Sequence, residues 1–184
     1  MSSTKLENDK YYTPIDLAKY CIDKTFEIIG KENITEIIEP SAGNGSFSNQ
    51  IANCIAYDLV PESDNIKTAD FLDMKLGYKS GRLFIGNPPF GVHNKLVVDF
   101  YDKCCDCGDY IAFILPISCY KNDIKLYKFD LIYSEDLGLR YYTDRELHCC
   151  FNIYRRPDSG AFNQKPNYEL NEITIIVNTH IRYK

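Results

Sequence analysis

Long apolar runs, internal repeats and low-complexity tracts are all missing from this 184-residue chain. With no stretch of about 18 consecutive apolar residues, no membrane span is expected. The opening "MSSTKLENDK" lacks the apolar core of a signal peptide, so the expected location is cytoplasmic, bacterial or in a host cell. An excess of positive charge is missing too: 21 Lys and Arg against 26 Asp and Glu give 21 − 26 = −5. Total charge therefore excludes nonspecific nucleic-acid binding, and any such binding must come from a local patch. Two clusters offer one, Lys121, Lys125 and Lys128, then Arg140, Arg145, Arg155 and Arg156; each also reads as plain solvated surface.

A second C-x₂-C pair is the next absence. Eight cysteines are present, and Cys104 and Cys107 have zinc-ligand spacing, but Cys149 and Cys150 are adjacent. No metal is expected. Without a sign of export, reduced and buried thiols are the expected state.

What is present reads as one domain over residues 11–184, after a flexible arm at 1–10, with 45% apolar and 26% charged residues. "YYTPIDLAKYCIDKTFEIIG" reads as a helix with Thr13 as N-cap, Pro14 at N1, Asp16 at N3 and Gly30 at its end. Ile15, Ala18, Ile22, Phe26 and Ile29 would form its apolar face. Strands are expected at 35–40, 54–58, 66–72, 82–90 and 110–116. A helix is expected from about Ser46 and another over 95–107. Later strands are expected at "FDLIYSEDL", "LHCCFNIYRR" (147–156) and "EITIIVNTHI" (172–181), with a loop at 157–169. Strands alternating with helices mean an α/β fold with a mostly parallel sheet. In such sheets ligands bind beyond the carboxyl ends of the strands. The unusual residues sit at four such ends: Glu39 to Gly45, Asp58, Asp70, and Asn87 to Phe90.

In "EPSAGNGSF" (39–47), Gly43 and Gly45 permit close backbone approach, or simply a tight turn. The third glycine of a dinucleotide fingerprint and the lysine of a P-loop are both lacking. Asp58, at the next strand end, has the chemistry to accept hydrogen bonds from ribose hydroxyls. The ligand indicated is a nucleoside-containing cofactor without a pyrophosphate. In "NPPF", Asn87 offers an amide oxygen, and the carbonyl of Pro88 offers a second acceptor aimed by the rigid Pro88–Pro89 pair. Phe90 can stack on a flat ring. Two convergent acceptors suit the NH₂ group of a planar heterocycle. Accepting both its hydrogens frees a lone pair otherwise delocalised into the ring.

"EPSAGNGSF", "DFL" and "NPPFG", in this order, resemble the N6-adenine DNA methyltransferases that use S-adenosylmethionine, with the motif order of their γ group. "YYTP" (11–14) resembles the segment that closes over the methionine part of the cofactor in many of them. The resemblance covers roughly residues 10–156. It implies the class I methyltransferase, Rossmann-like fold: a seven-stranded mixed sheet of order 3-2-1-4-5-7-6 with helices on both faces. It implies that Tyr12, Thr13 and Pro14 hold the methionine end, and that Glu39, Pro40, Ala42, Gly43, Asn44 and Gly45 wrap the cofactor. Asp58 would bind the ribose; Leu59, Asp70 and Phe71 would contact the cofactor's adenine. Asn87, Pro88, Pro89 and Phe90 would form the catalytic pocket for a flipped target base. Only about 28 residues follow Arg156, too few for the target-recognition domain usual in the γ group. Three expectations follow: an N6-adenine methyltransferase of DNA with low specificity or a partner subunit; the same chemistry on an RNA base or a protein glutamine; or a silent, cofactor- or DNA-binding subunit beside an active partner.

Overall fold

In a computed structural model, which describes residues 11–122 and 124–166, seven strands form one sheet of order β3-β2-β1-β4-β5-β7-β6. They are β1 (Glu36–Glu39), β2 (Ile55–Asp58), β3 (Ile66–Thr68), β4 (Arg82–Gly86), β5 (Tyr110–Pro116), β6 (Asp130–Tyr142) and β7 (Arg145–Arg155). β1 to β5 are mutually parallel, and β7 runs antiparallel to both β5 and β6. The expected order and the expected antiparallel seventh strand are both present. The expected arm at 1–10 and the strand at 172–181 lie outside the described residues.

Two helices cover the two faces. α1 (Ile15–Ile29) buries Leu17, Ala18, Cys21 and Ile22 against Leu83, Ile85, Ala112 and Ile114 of the central strands. α2 (Lys95–Cys107) buries Val97, Phe100, Tyr101 and Cys104 with Phe84, Ile111, Phe113 and Leu115. The alternation follows from strand geometry: successive residues of β4 and β5 face opposite sides, and a strand covered on both sides is apolar throughout. Each buried Phe contributes roughly 1.5–3 kcal/mol relative to an exposed one. Among the described residues, no helix is long and apolar enough to cross a membrane.

Three expectations are corrected. Pro14, with φ −53° and ψ 140°, is itself the N-cap of α1, so the helix begins one residue later, and Thr13 makes no capping bond. Ile15 is consequently exposed rather than on the apolar face. The helix expected from Ser46 is a single 3₁₀ turn, Ser48–Gln50. Its side-chain amides are engaged by backbone: Asn49 Nδ2 donates to the Asn44 carbonyl, and Gln50 Nε2 to the Ser46 and Ile15 carbonyls. Such side-chain bonds compete with helix propagation. β6 runs on past Leu137 through a register shift between Asp136 and Gly138, where Gly138 has φ +72°.

Candidate active site

The parallel strands deliver their carboxyl ends to one edge of the sheet, and a cavity of about 270 Å³ opens there. Its wall is built from all four segments singled out in the sequence: Glu39 to Asn44 after β1, Asp58 and Leu59 after β2, Asp70 and Phe71 after β3, and Asn87, Pro89 and Phe90 after β4. Tyr12 and Thr13 close it from the segment before α1. Of the expected residues, Pro14, Gly45 and Pro88 stay outside the wall. Pro88 is buried behind it.

Asn87 is held by its amide nitrogen. Nδ2 lies 3.3 Å from both the Tyr11 carbonyl and Thr13 Oγ1. Both donors are thereby directed away, and Oδ1 is buried with no hydrogen-bond partner. A buried acceptor left unmatched costs roughly 1–3 kcal/mol. The arrangement is a carbonyl oxygen left open to an N–H donor that no described residue supplies.

Glu39, 2% exposed, accepts from the Ser48 backbone N–H at 2.8 Å. Burial pushes its carboxyl up from the ordinary 4.5 to about 7, with hydrogen bonds from Ser48 opposing the rise. Its side chain crosses the face of Gly86; a Cβ there would stand 3.3 Å from Glu39 Cγ, and φ is +148°. The close contact and the φ together favour glycine at the end of β4.

Asp58 fixes the glycine loop. Its Oδ2 accepts from the Gly43 N–H at 2.7 Å and its Oδ1 from the Val60 N–H at 2.8 Å. Each oxygen keeps a second lone pair for a ligand hydroxyl. Gly43 has φ +53°, and a Cβ on it would lie 3.0 Å from the Tyr12 ring. The glycine thus admits Tyr12 over the loop, and the Tyr12 hydroxyl bonds Glu62 on the far side. Burial and Glu62 together raise the Tyr12 phenol above its usual range, so it stays a donor.

Asp70 is exposed and accepts from the Leu72 N–H at 3.0 Å. Phe71, 2% exposed, packs its ring against Phe84 and Phe100 at centroid distances of 5.6 and 5.5 Å, so it braces the wall from the core. Phe90 is half-buried and packs against the hydrophobic clusters of both faces.

Several wall residues were given no role from the sequence: Tyr11, Ser46, Phe47, Val60, Ala69, Leu72, Leu96 and Phe100. Most neighbour an expected residue in sequence. Leu96 and Phe100, one turn apart on α2, reach the cavity only through the packing of that helix.

The wall carries Glu39, Asp58 and Asp70 and, among the described residues, no Lys, Arg or His. That set suits a ligand rich in hydroxyl, amine or cationic donors and disfavours a phosphate.

The basic clusters separate. Arg156 bonds Asp109 and the Cys105 and Gly108 carbonyls at the amino end of the sheet, and Lys128 pairs with Asp102. Those are structural uses, far along the strands from the cavity. Arg145 alone of the seven reaches the cavity's segment, donating to the Tyr11 hydroxyl at 2.9 Å.

No family model and no curated protein sequence matches the chain. Solved structures do match in fold. A protein of Pyrococcus horikoshii assigned as an RNA methyltransferase superimposes with TM-score 0.62 at 14% identity, over 79% of this chain and 86% of that one. A Listeria monocytogenes protein assigned as a class I S-adenosylmethionine-dependent methyltransferase gives 0.61 at 14% identity, over 88% and 64%. The 23S rRNA methyltransferase ErmE gives 0.52 at 12% identity, over 80% and 70%. The chain therefore has the Rossmann-like fold of the class I methyltransferases, with its cavity at the carboxyl edge of the sheet.

Proposed function

We propose that this protein is an S-adenosylmethionine-dependent methyltransferase acting on the N6 amine of adenine in DNA. The observation that carries the reading is Asn87 Oδ1, buried, unpartnered, and oriented by Tyr11 and Thr13. The fold and the acidic cavity support the cofactor. When bound, S-adenosylmethionine supplies an electrophilic methyl group on a sulfonium sulfur.

The chain's own residues then have distinct tasks. Asp58 accepts from the ribose hydroxyls while holding the Gly43 loop. Tyr12 and Thr13 would hold the methionine part. Leu59 and Asp70 would hold the cofactor's adenine, beside the wall that Phe71 braces. Asn87 Oδ1 and the Pro88 carbonyl accept the two hydrogens of the target amine, favouring the pyramidal nitrogen of the transition state. Phe90 stacks on the flipped base. With both amine hydrogens accepted by Asn87 and Pro88, the nitrogen lone pair would be free to take the methyl group the cofactor would supply, its sulfur keeping the bonding pair and one amine proton leaving to water.

An RNA base is the second reading, because two of the fold's neighbours bear RNA methyltransferase names. The test is direct. Labelled S-adenosylmethionine is incubated with the purified protein and, separately, duplex DNA, single-stranded DNA, RNA and a protein extract, and the product is digested and identified. N6-methyladenine in DNA is the expected outcome. A methylated RNA base would move the substrate; no transfer with retained cofactor binding would point to a silent subunit.

A further inference from the structure

The hairpin between β6 and β7 closes on the pair Tyr142 and Arg145, leaving Thr143 and Asp144 as a two-residue turn. Thr143 has φ +60°, whereas Asp144 is not in the positive region. The first central position of such a turn normally belongs to glycine. A β-branched residue there is a conformational outlier that its surroundings must hold in place.

Its surroundings do hold it. Thr143 Oγ1 accepts the Tyr12 backbone N–H at 2.9 Å, across 131 residues of sequence. Beside it, Arg145 donates Nη1 to the Tyr11 hydroxyl at 2.9 Å and places its guanidinium 5.6 Å from the Tyr11 ring centroid. The hairpin reaches this far because it outruns the sheet: the last residue of β5, Pro116, pairs with Cys149, and β7 has already begun at Arg145.

The segment it grips, Tyr11 to Thr13, is the one that holds Asn87. The Tyr11 carbonyl and Thr13 Oγ1 take both hydrogens of the Asn87 amide and so decide which way Oδ1 faces. The contacts form one chain from hairpin to strap to Asn87.

We propose that Thr143 and Arg145 are positioning residues for methyl transfer: the hairpin tip latches the Tyr11–Thr13 strap, and the latched strap aims Asn87 Oδ1 at the target amine. This inference rests on the methyl-transfer reading of the cavity. It accounts for a threonine where the turn alone would favour glycine, since glycine would relax the backbone and lose the hydroxyl that accepts from Tyr12.

Thr143→Gly separates the two roles, because a merely structural turn residue would tolerate or welcome it. Thr143→Gly, Thr143→Ser and Arg145→Ala are compared with wild type by melting temperature, by the rate of chymotryptic cleavage after Tyr11 and Tyr12, and by kcat and KM on an adenine-containing oligonucleotide. Thr143→Gly is expected to melt at the wild-type temperature or above, to be cut faster at the strap, and to lose roughly 10- to 100-fold in kcat with little change in KM for the oligonucleotide. Thr143→Ser restores the hydroxyl and all three properties, and Arg145→Ala shows the same losses more weakly. Wild-type cleavage in Thr143→Gly overturns the latch. Faster cleavage with wild-type kcat overturns the coupling to Asn87. If the wild-type chain transfers no methyl group, the methyl-transfer reading fails and the coupling fails with it, while the cleavage rates still show whether the latch exists.

Discussion

The two ends of the sheet put their polar side chains to different uses. At the amino end the two arginines that brace the strands are matched, although Arg155 Nε there has no partner. Arg82 bonds Glu36 and the Gly77 and Cys107 carbonyls, and Arg156 bonds Asp109 and two further carbonyls. At the carboxyl end the matching is incomplete. Among the described residues Asn87 Oδ1 has no partner, and Glu39 faces no cation, only the hydrogen bonds around Ser48. The same fold uses Arg82 and Arg156 for support at one edge and holds the Asn87 oxygen open at the other. Of the buried atoms left unmatched among the described residues, Ser48 Oγ, Asn87 Oδ1, the Tyr142 hydroxyl and Arg155 Nε, that of Asn87 belongs to the cavity wall.

The contrast can be broken or sharpened by substitution. Asn87→Ala should have the largest effect: transfer falls by 10³-fold or more, about 4 kcal/mol of transition-state stabilisation. Cofactor affinity and folding should stay nearly intact. Loss of both transfer and cofactor binding would make Asn87 part of the scaffold after all. Arg82→Ala should do the reverse, lowering folding stability in urea by about 3 kcal/mol while leaving kcat of the folded protein unchanged.

Glu39 gives a pH signature. Its carboxyl is raised from 4.5 to about 7 in the fold, so between those values the folded chain binds more protons than the unfolded one. Stability then falls as pH rises through this window, by at most roughly 3 kcal/mol. Glu39→Gln should flatten the slope in urea titrations at pH 4.5 to 8; an unchanged slope would assign it to another group. Asp58→Ala should weaken cofactor binding by about 1–3 kcal/mol in calorimetry, through lost hydrogen bonds to hydroxyls and a loosened Gly43 loop. Unchanged affinity would remove its ribose role.

Which parts of this contrast the sequence displays depends on the range of the interactions. α2 and β5 fall where they were read, because Gly108 interrupts the helical pattern and the apolar run 110–116 is continuous. The rim was legible because rigid or permissive residues (Pro88, Pro89, Gly43) sit beside acids at strand ends. The helix expected after Ser46 was misread because Asn49 and Gln50 turn their amides back onto the loop, a contest that periodicity does not register. The hairpin's reach to Tyr11 and Tyr12 was invisible, since nothing local marks a contact across more than 130 residues. The arginine clusters were legible as charge but not as geometry, and the fold divides them between its two ends.

The cysteines carry a consequence of their own. All eight are free; Cys21, Cys104, Cys105, Cys107, Cys149 and Cys150 are buried, and Cys54 and Cys119 partly so. Burial pushes the thiols up, to about 11 for Cys149 and about 12 for Cys54, so few are ionised in the folded chain at neutral pH. Alkylation therefore reads opening rather than intrinsic reactivity. The thiols stand on α1, α2, β7 and two loops, so the molecule carries its own set of clocks, and the order in which they are labelled would rank its parts by how readily each comes apart.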